Sequence, residues 1–148
     1  MLPSMTTPRE VFLKLVNGVC DGDPNLAELY AEKTDVSHPF DPAGSPPLTS
    51  RDALREHFNG PPGAVYPRLE RRVVDVVVHE TADPEVIVAE FAYEGRNVES
   101  GAEFRMPGIF VLRVRDGKIV ESRDYLDHVS GYKARGMVER LVGVLRGE

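Results

Sequence analysis

An Asp-Gly pair at positions 116 and 117, flanked on both sides by residues that favour β-strands, constrains the fold of this chain more than any other feature. Asp-Gly suits the two-residue turn of a β-hairpin, because both residues of that turn adopt a positive φ angle. Before the pair, apolar residues and one glycine occupy every second position from Phe104 to Val114, which indicates a strand with one buried face. Residues 104–128 therefore predict a long hairpin.

The second arm of this hairpin contains a carboxylate among residues that favour packing. Strand parity places Ser122, Asp124 and Leu126 on one side, and Leu126 indicates that this side faces the interior. A carboxyl group beside apolar walls has a raised pKa, as an acid/base group requires. Asp124 is therefore the first candidate for chemistry. The alternative is that Asp124 pairs with Arg123 or another surface arginine on an exposed face.

Upstream of the hairpin, helical patterns come first and strand patterns follow. Thr7, Pro8 and Glu10 have the arrangement of a helix N-terminus, and Ser50 can cap a later helix. Strand patterns are found at residues 34–40, 69–79 and 86–93. A glycine-interrupted helical pattern closes the chain at 130–146. Helices followed by consecutive strands predict an α+β domain with a curved antiparallel sheet around the helices, whose concave mouth suits a small ligand.

The size and charge of the chain exclude several classes of protein. Its 148 residues predict a single domain, with a core at about 8–128 and a C-terminal helix at about 130–146. The net charge of −6 and the lack of a basic run argue against nucleic-acid binding. A single cysteine, no signal-peptide pattern and no long apolar run predict a cytoplasmic protein that does not bind a membrane.

Two segments resemble a known family. They are YAEKTDVSHPFDPAGSPPLTSRDALREHF at 30–58 and PGIFVLRVRDGKIVESRDYLD at 107–127. Both resemble the SnoaL-like polyketide cyclases and the related ketosteroid isomerases and limonene-epoxide hydrolases of the nuclear transport factor two superfamily. The resemblance implies a cone-shaped, curved antiparallel sheet wrapped around N-terminal helices. It does not imply one activity, because this fold carries several.

The isomerase resemblance identifies His38 as a second candidate. The isomerases have a catalytic aspartate immediately before a proline, and His38 occupies that place before Pro39. A histidine can exchange protons near neutral pH, although His38 could also simply end a strand. The positions that would hold the enolate oxygen fall at Leu15 and at Ile109 or Phe110, which cannot donate a hydrogen bond. Ketosteroid isomerisation by that mechanism is therefore not expected.

The hydrolase and cyclase resemblances both favour Asp124 as an acid/base group. The hydrolases have an aspartate in an Arg-Asp-Tyr sequence on the last strand, which matches 123–125 here. They also need an Arg-x-Asp pair on an earlier strand, and the corresponding positions fall around 91–93, where no carboxylate occurs. The resemblance further implies that Phe104, Met106 and Leu126 line an apolar pocket beside Asp124.

Four more residues are predicted ligand contacts. These four are Phe40, His57, Phe91 and Tyr93. For His57, which follows Leu54 on an apolar helix face, a hydrogen-bonded core histidine is the favoured alternative.

No tight His or Cys spacing predicts a metal, and no motif predicts a cofactor. The valine run 73–78 has apolar residues on both faces, which predicts a homodimer through the sheet.

Taken together, the sequence predicts a cofactor-independent acid/base enzyme for a small hydrophobic molecule with a carbonyl or hydroxyl group. Asp124 would move a proton, and His38 would assist from the opposite wall. Isomerisation, aldol cyclisation and elimination are compatible with this pair. The alternatives are a non-catalytic binding module for a hydrophobic ligand and an epoxide hydrolase-like enzyme. Convergence of Asp124 and His38 on one ligand atom would favour catalysis.

Overall fold

The computed structural model describes residues 6–60, 63 and 65–148, and in them four α-helices accompany a six-stranded sheet. The helices are α1 (Pro8–Asp21), α2 (Arg51–Asn59), α3 (His128–Ala134) and α4 (Val138–Leu145), with a 3₁₀ helix at Leu26–Leu29. The strands are β1 (Tyr30–Ser37), β2 (Leu48–Ser50), β3 (Leu69–Glu80), β4 (Val86–Asn97), β5 (Glu103–Arg115) and β6 (Lys118–Leu126). The α+β class is confirmed. None of the described helices is long and apolar enough to cross a membrane.

The capping signals define the two N-terminal helices as the sequence predicts. The Thr7 side chain accepts a hydrogen bond of 3.2 Å from the backbone N–H of Glu10, and Ser50 caps α2 through the N–H of Ala53. Helix α1 ends at Gly22, which adopts a left-handed φ of 69°. These caps satisfy N–H groups that a helix start leaves without intrahelical partners.

The predicted hairpin is confirmed, and its register positions the candidate acid/base group. Asp116 and Gly117 have φ angles of 52° and 75°, the two positive values that the turn requires. In the ladder that follows, Phe110 of β5 lies opposite Asp124 of β6. Since paired residues share a face of a sheet, Asp124 lies on the same side as the buried Phe110.

The sheet is mixed rather than wholly antiparallel, which corrects one detail of the predicted fold. Its strand order is β2-β1-β6-β5-β4-β3, and β1 runs parallel to β6. The pattern of apolar residues in a strand specifies which face is buried but not the direction of its neighbour, so the sequence did not reveal this pairing. Strand β1 also begins at Tyr30 and ends before His38, whereas the sequence predicted a strand over 34–40.

Two backbone features make the observed elements differ from those that the sequence predicts. The C-terminal helical pattern forms two helices, because Gly136 between them adopts a φ of 68°. In β3, Asp75 has a φ of 56°, and the pairing with β4 shifts between Val74 and Val77. This bulge changes which face the valines occupy and bends the strand. Val77 on the outer face is 48% exposed.

Aromatic packing holds α1 in the curve of the sheet. Phe12 of α1 contacts Phe91 and Phe110 edge-on, with ring centroids 5.5 and 6.1 Å away. All three rings are buried. Such edge-to-face pairs add to the hydrophobic gain of burial. The first helix is thereby fixed across the central strands.

We expect Gly95 of β4 to be required for stability. A Cβ there would collide with the carbonyl oxygen of Glu70 and lie 2.7 Å from the Cα of Arg71. Gly95→Ala should lower the free energy of unfolding by about 1–3 kcal/mol, because β3 would have to move. Urea denaturation measures this change.

Gly143→Ala is the matched control. A Cβ at Gly143 in α4 would contact the Oε2 of Glu148 at an ordinary 3.6 Å. Alanine is the better helix former, so this variant should be more stable than the wild type by about 0.5–1 kcal/mol. Equal stability of the two variants would contradict the close approach of β3 to Gly95.

Candidate active site

A cavity of about 270 Å³ lies between the sheet and the helices α1 and α2. Apolar and aromatic side chains form most of its wall: Leu15, Val19, Tyr30, Val36, Leu54, Phe58, Tyr93, Met106, Phe110 and Leu126. Five polar side chains complete it: His38, His57, Arg71, Asp124 and Arg135. An apolar cleft with a few convergent polar groups is the usual form of a small-molecule site.

Asp124 is the buried carboxyl group of this cavity. Its residue is 6% exposed, and the hydroxyl of Ser122 donates a hydrogen bond to its Oδ1. Burial raises the pKa of Asp124 to about 7, although the hydrogen bond from Ser122 acts in the opposite direction. The carboxyl group therefore exists in both protonation states near neutral pH, as a group that accepts and returns a proton must.

His38 lies beside Asp124 and not on the opposite wall as predicted, because β1 and β6 are parallel neighbours. Ser37 of β1 is in register with Arg123 of β6, so the residues that follow them are neighbours. The Nε2 of His38 is 3.6 Å from the Oδ2 of Asp124. Burial, followed by the nearby rings of His57 and His128, lowers the pKa of His38 to about 4. His38 is therefore neutral at neutral pH, with one ring nitrogen able to donate and the other able to accept.

Two further histidines surround His38 at the mouth of the cavity. The ring centroids of His57 and His128 are 5.2 and 6.4 Å from that of His38. Desolvation lowers the pKa of both rings, so all three imidazoles favour the neutral form. The Nε2 of His128 is buried and has no hydrogen-bond partner among the described residues.

Two tyrosines add hydroxyl groups to the wall. Tyr30 is fully enclosed, and burial, with the charge of Asp124 as the next cause, raises its pKa well above the ordinary value. Burial also raises the pKa of Tyr93. Both phenols consequently remain protonated, and a protonated phenol can donate a hydrogen bond to an oxygen atom of a ligand.

The structure brings together six of the nine predicted site residues. The residues that line one cavity are His38, His57, Tyr93, Met106, Asp124 and Leu126. His57 is at the open mouth of the cavity and exposed, so the core-histidine alternative is wrong. Asp124 faces inward rather than pairing with Arg123, whose guanidinium contacts Glu121 at 2.9 Å.

Three predicted ligand contacts lie outside this cavity. Phe40 is 67% exposed, because the chain leaves the sheet after Ser37, and its ring packs on Tyr125. Phe91 is in the aromatic core, where its ring contacts Phe12. Phe104 lines a separate surface groove toward the end of the sheet. Phe91 is on the inner face of the sheet, as the cavity residue Tyr93 is, but strand parity does not distinguish a cavity wall from the solid core.

Sequence reasoning missed several residues that line the cavity or lie at its mouth. The sequence patterns did not identify Arg71, which lines the cavity. They also did not identify His128, which lies at the cavity mouth at the start of α3. Arg135, at the end of α3, had no sequence signal. Arg71 could have been found from strand parity, because it shares the face of Val73, which packs against the core.

The second carboxylate of an epoxide hydrolase has no counterpart in this cavity. Among the described residues that line it, Asp124 is the only acidic one. Glu90, the nearest carboxylate to the expected strand position, lies outside and contacts His79 at 2.6 Å. The described residues also contain no group of three His, Cys, Asp or Glu side chains arranged to hold a metal ion.

Comparison with known proteins supports the family resemblance that the two segments at 30–58 and 107–127 indicate. A family profile described as the SnoaL-like domain matches residues 15–122. An uncharacterised PhzA/B-like protein of Pseudomonas aeruginosa is 30% identical over 142 residues, which cover 94% of this chain and 97% of that protein. The resemblance to SnoaL-like proteins is thereby confirmed.

Solved structures share the fold. A proposed isomerase from Bacillus subtilis is 27% identical, with a TM-score of 0.74 over 87% of this chain and 92% of that chain. IdmH, a proposed polyketide cyclase from Streptomyces antibioticus, is 25% identical, with a TM-score of 0.65 over 88% of this chain and 99% of that one. A Catenulispora acidiphila protein with a ketosteroid isomerase-like fold has a TM-score of 0.67 at 20% identity, over 89% and 95% of the two chains. The last likeness concerns the fold alone.

The burial of Asp124 should make protein stability depend on pH in a defined direction. Its pKa is about 7 in the folded protein, against an ordinary value of 3.8. Between these values the folded protein retains a proton that the unfolded chain has lost, so stability falls as pH rises through this range. Asp124→Asn removes the ionisation. Its free energy of unfolding relative to wild type should therefore increase from pH 4.5 to pH 8, by roughly 3 kcal/mol.

Urea denaturation of both proteins at the two pH values measures this difference. Because titration of the histidines affects both proteins, it largely cancels in the comparison. Ser122→Ala is the companion variant, since loss of its hydrogen bond to Asp124 should raise the carboxyl pKa further in a ¹³C NMR titration. A difference that does not change with pH would mean that Asp124 ionises as it does in the unfolded chain.

Proposed function

The chain belongs to the SnoaL-like domain family, and on that premise we propose that it is a cofactor-independent acid/base enzyme acting on a small hydrophobic carbonyl compound. Its reaction is isomerisation, cyclisation or elimination through an enolate. One observation carries the proposal: Asp124 and His38 converge in one cavity, with Nε2 and Oδ2 separated by 3.6 Å. One atom of a ligand can therefore contact both groups.

The proposed reaction begins with the ionised carboxylate of Asp124. It removes a proton from the carbon next to the carbonyl group, and the electron pair of that C–H bond moves to the carbonyl oxygen to form an enolate. Returning the proton to a different carbon completes an isomerisation. In a cyclisation, the enolate carbon attacks a second carbonyl group, and the alkoxide that forms takes the proton from Asp124. In an elimination, the β-substituent leaves with its bonding electron pair and takes the proton from Asp124.

The electrostatics of the cavity suit such a reaction. A general base works best when its pKa is near the working pH, and burial raises the pKa of Asp124 to about 7. His38 is neutral, so one of its ring nitrogens has an N–H that can donate a hydrogen bond to the developing oxyanion. The phenol of Tyr30 lines the same cavity and is a second donor. Donors that are fixed in a site of low polarity stabilise a developing negative charge more than water does.

The similar proteins support this class of chemistry and do not identify a substrate. The Bacillus subtilis structure is described as a proposed isomerase and IdmH as a proposed polyketide cyclase. Both descriptions fit enolate chemistry. Epoxide hydrolysis is less well supported, because Asp124 is the sole acidic group among the described cavity residues. The pKa of about 7 for the buried Asp124 carboxyl group favours catalysis over a simple binding module, because strongly shifted pKa values cluster at catalytic sites.

Hydrogen exchange of a simple ketone tests the proposal without the natural substrate. In D₂O the wild-type protein should accelerate loss of the α-proton NMR signals of 2-tetralone. Asp124→Asn should lower the protein-catalysed rate by about 100-fold or more, the usual contribution of a positioned base. The rate should rise with pH through about 7, where Asp124 ionises, and then level off.

Glu121→Gln is the matched control for this assay. Glu121 is on the same strand but faces outward, where Arg123 contacts it at 2.9 Å. This variant should exchange the ketone at the wild-type rate. Full exchange activity in Asp124→Asn would refute the assignment of Asp124 as the base.

The outer face of the sheet provides the proposed dimer contact. Cross-strand pairing places Val77, Glu90, Ile109 and Tyr125 in one row on this face, and Phe40 packs on Tyr125. Val77 is 48% exposed and Ile109 40% exposed, and Glu90 lies between them in the row. A second copy of the chain would bury this row against itself.

Ile109→Glu tests the proposed dimer. A new charge in the centre of a self-complementary contact appears twice and repels itself, so the variant should elute as a monomer where the wild type elutes as a dimer. Light scattering coupled to gel filtration measures the mass. Lys14→Glu, a charge change on α1 away from this face, is the control. A wild-type protein that is monomeric, or an Ile109→Glu dimer, would refute this interface.

A further inference from the structure

Two arginines line the cavity, and neither has a carboxylate partner among the described residues. Arg71 comes from β3, and Arg135 follows the last residue of α3. Neither forms an ion pair with a carboxylate in the part of the chain that the structure describes. Arginines on the outer face differ, since Arg105 contacts both Asp75 and Glu94 at 2.8 and 2.9 Å. The cavity therefore contains positive charge that the described residues do not neutralise.

Arg71 is held at the cavity wall by its neighbours on the sheet. Its guanidinium lies over the ring of Tyr93, 5.3 Å from the centroid. Arg71 is paired with Gly95, whose missing side chain lets the two strands approach closely. A cation above an aromatic face is attracted electrostatically, but the ring does not use the N–H donors of the guanidinium. Those donors remain for another partner.

Arg135 is directed toward the cavity by the helix that precedes it. One N–H of its guanidinium donates to the carbonyl of Gly131 at 3.1 Å. A Cβ on Gly131 would lie 3.2 Å from that guanidinium nitrogen and 3.6 Å from the sulfur of Met106, so glycine provides the space that the arginine occupies. A guanidinium has five N–H donors, and this bond uses one. Burial, with the charge of Arg71 as the next cause, lowers the pKa of Arg135.

We propose that Arg71 and Arg135 together bind the carboxylate of a ligand whose apolar body fills the cavity, so that the substrate is a hydrophobic carboxylic acid. This inference rests on the proposed function and specifies its substrate class. Two guanidinium groups near each other without a counter-ion repel, and one carboxylate between them removes that repulsion. A carboxylate also accepts two parallel hydrogen bonds from a guanidinium, the strongest pairing available to it.

The residue proposed to bind the ligand carboxylate and the proposed base lie on different strands. Arg71 is on β3 and Asp124 on β6, with β4 and β5 between them. A ligand carboxylate at Arg71 would therefore be held three strands away from the base, and its charge would not oppose the ionisation of Asp124 at short range. The reacting carbon lies at the other end of the ligand, beside Asp124 and His38.

A pair of matched compounds tests this inference. 2-Naphthoate carries a carboxylate, whereas 2-naphthamide has nearly the same shape and no charge. Calorimetric titration of the full chain at pH 7.5 should give about tenfold tighter binding of the naphthoate, as expected for charge-assisted hydrogen bonds. In the double variant R71M/R135M the two compounds should bind within about threefold of each other, because methionine retains the apolar stem without the charge.

Arg72→Met is the matched control. Arg72 is adjacent to Arg71 but faces outward and contacts Glu94 at 3.4 Å, so this variant should retain the wild-type preference. The single variants Arg71→Met and Arg135→Met are titrated separately and should each lose part of the preference, which keeps the test available if the double variant does not fold.

The outcomes distinguish this inference from the proposed function. Equal affinity of the wild type for the two compounds, or a preference that persists in the double variant, would overturn the role of the arginines. Binding of the naphthamide would then still show that the cavity accepts a ligand, and the ketone exchange assay would still test Asp124. Binding of neither compound would count against both proposals.

Discussion

The parallel pairing of β1 with β6 is the constraint on which the rest of this structure depends. It brings together two chain segments about 85 residues apart, as the hydrogen bond from Thr34 to the carbonyl of Ile119 shows. The register of Ser37 with Arg123 makes His38 a neighbour of Asp124. A shift of one residue would turn the side chains of β1 to the other face and remove His38 from the cavity. Backbone hydrogen bonds therefore determine the geometry of the site.

A buried carboxyl group reduces the stability of the fold, and one hydrogen bond limits that cost. Ser122, two residues earlier on the same strand, donates a hydrogen bond to Asp124. The surrounding histidines favour the neutral form and therefore add no buried charge. What remains is a carboxyl group that is poorly solvated when ionised. The aromatic contacts of Phe12 with the central strands supply stability elsewhere in the core.

Local sequence patterns were sufficient for the elements that local interactions determine. The turn at Asp116 and Gly117, the caps at Thr7 and Ser50 and the inward side of Asp124 could all be predicted, because each depends on neighbouring residues. The direction of β1 could not, since it depends on a partner strand distant in sequence. Arg135 was missed for a similar reason: its place in the cavity depends on the path of α3 after the sheet ends.

The helix α3 contributes to the cavity independently of the sheet. His128 begins the helix and Arg135 follows it, so the C-terminal segment supplies both a cavity-mouth imidazole and a guanidinium after the sheet is complete. The proposed base, Asp124, belongs to the sheet itself. Substitutions in this short tail can therefore change the cavity mouth while Asp124 and its strand pairing stay unchanged. An evolving lineage could change its ligands here without rebuilding the sheet.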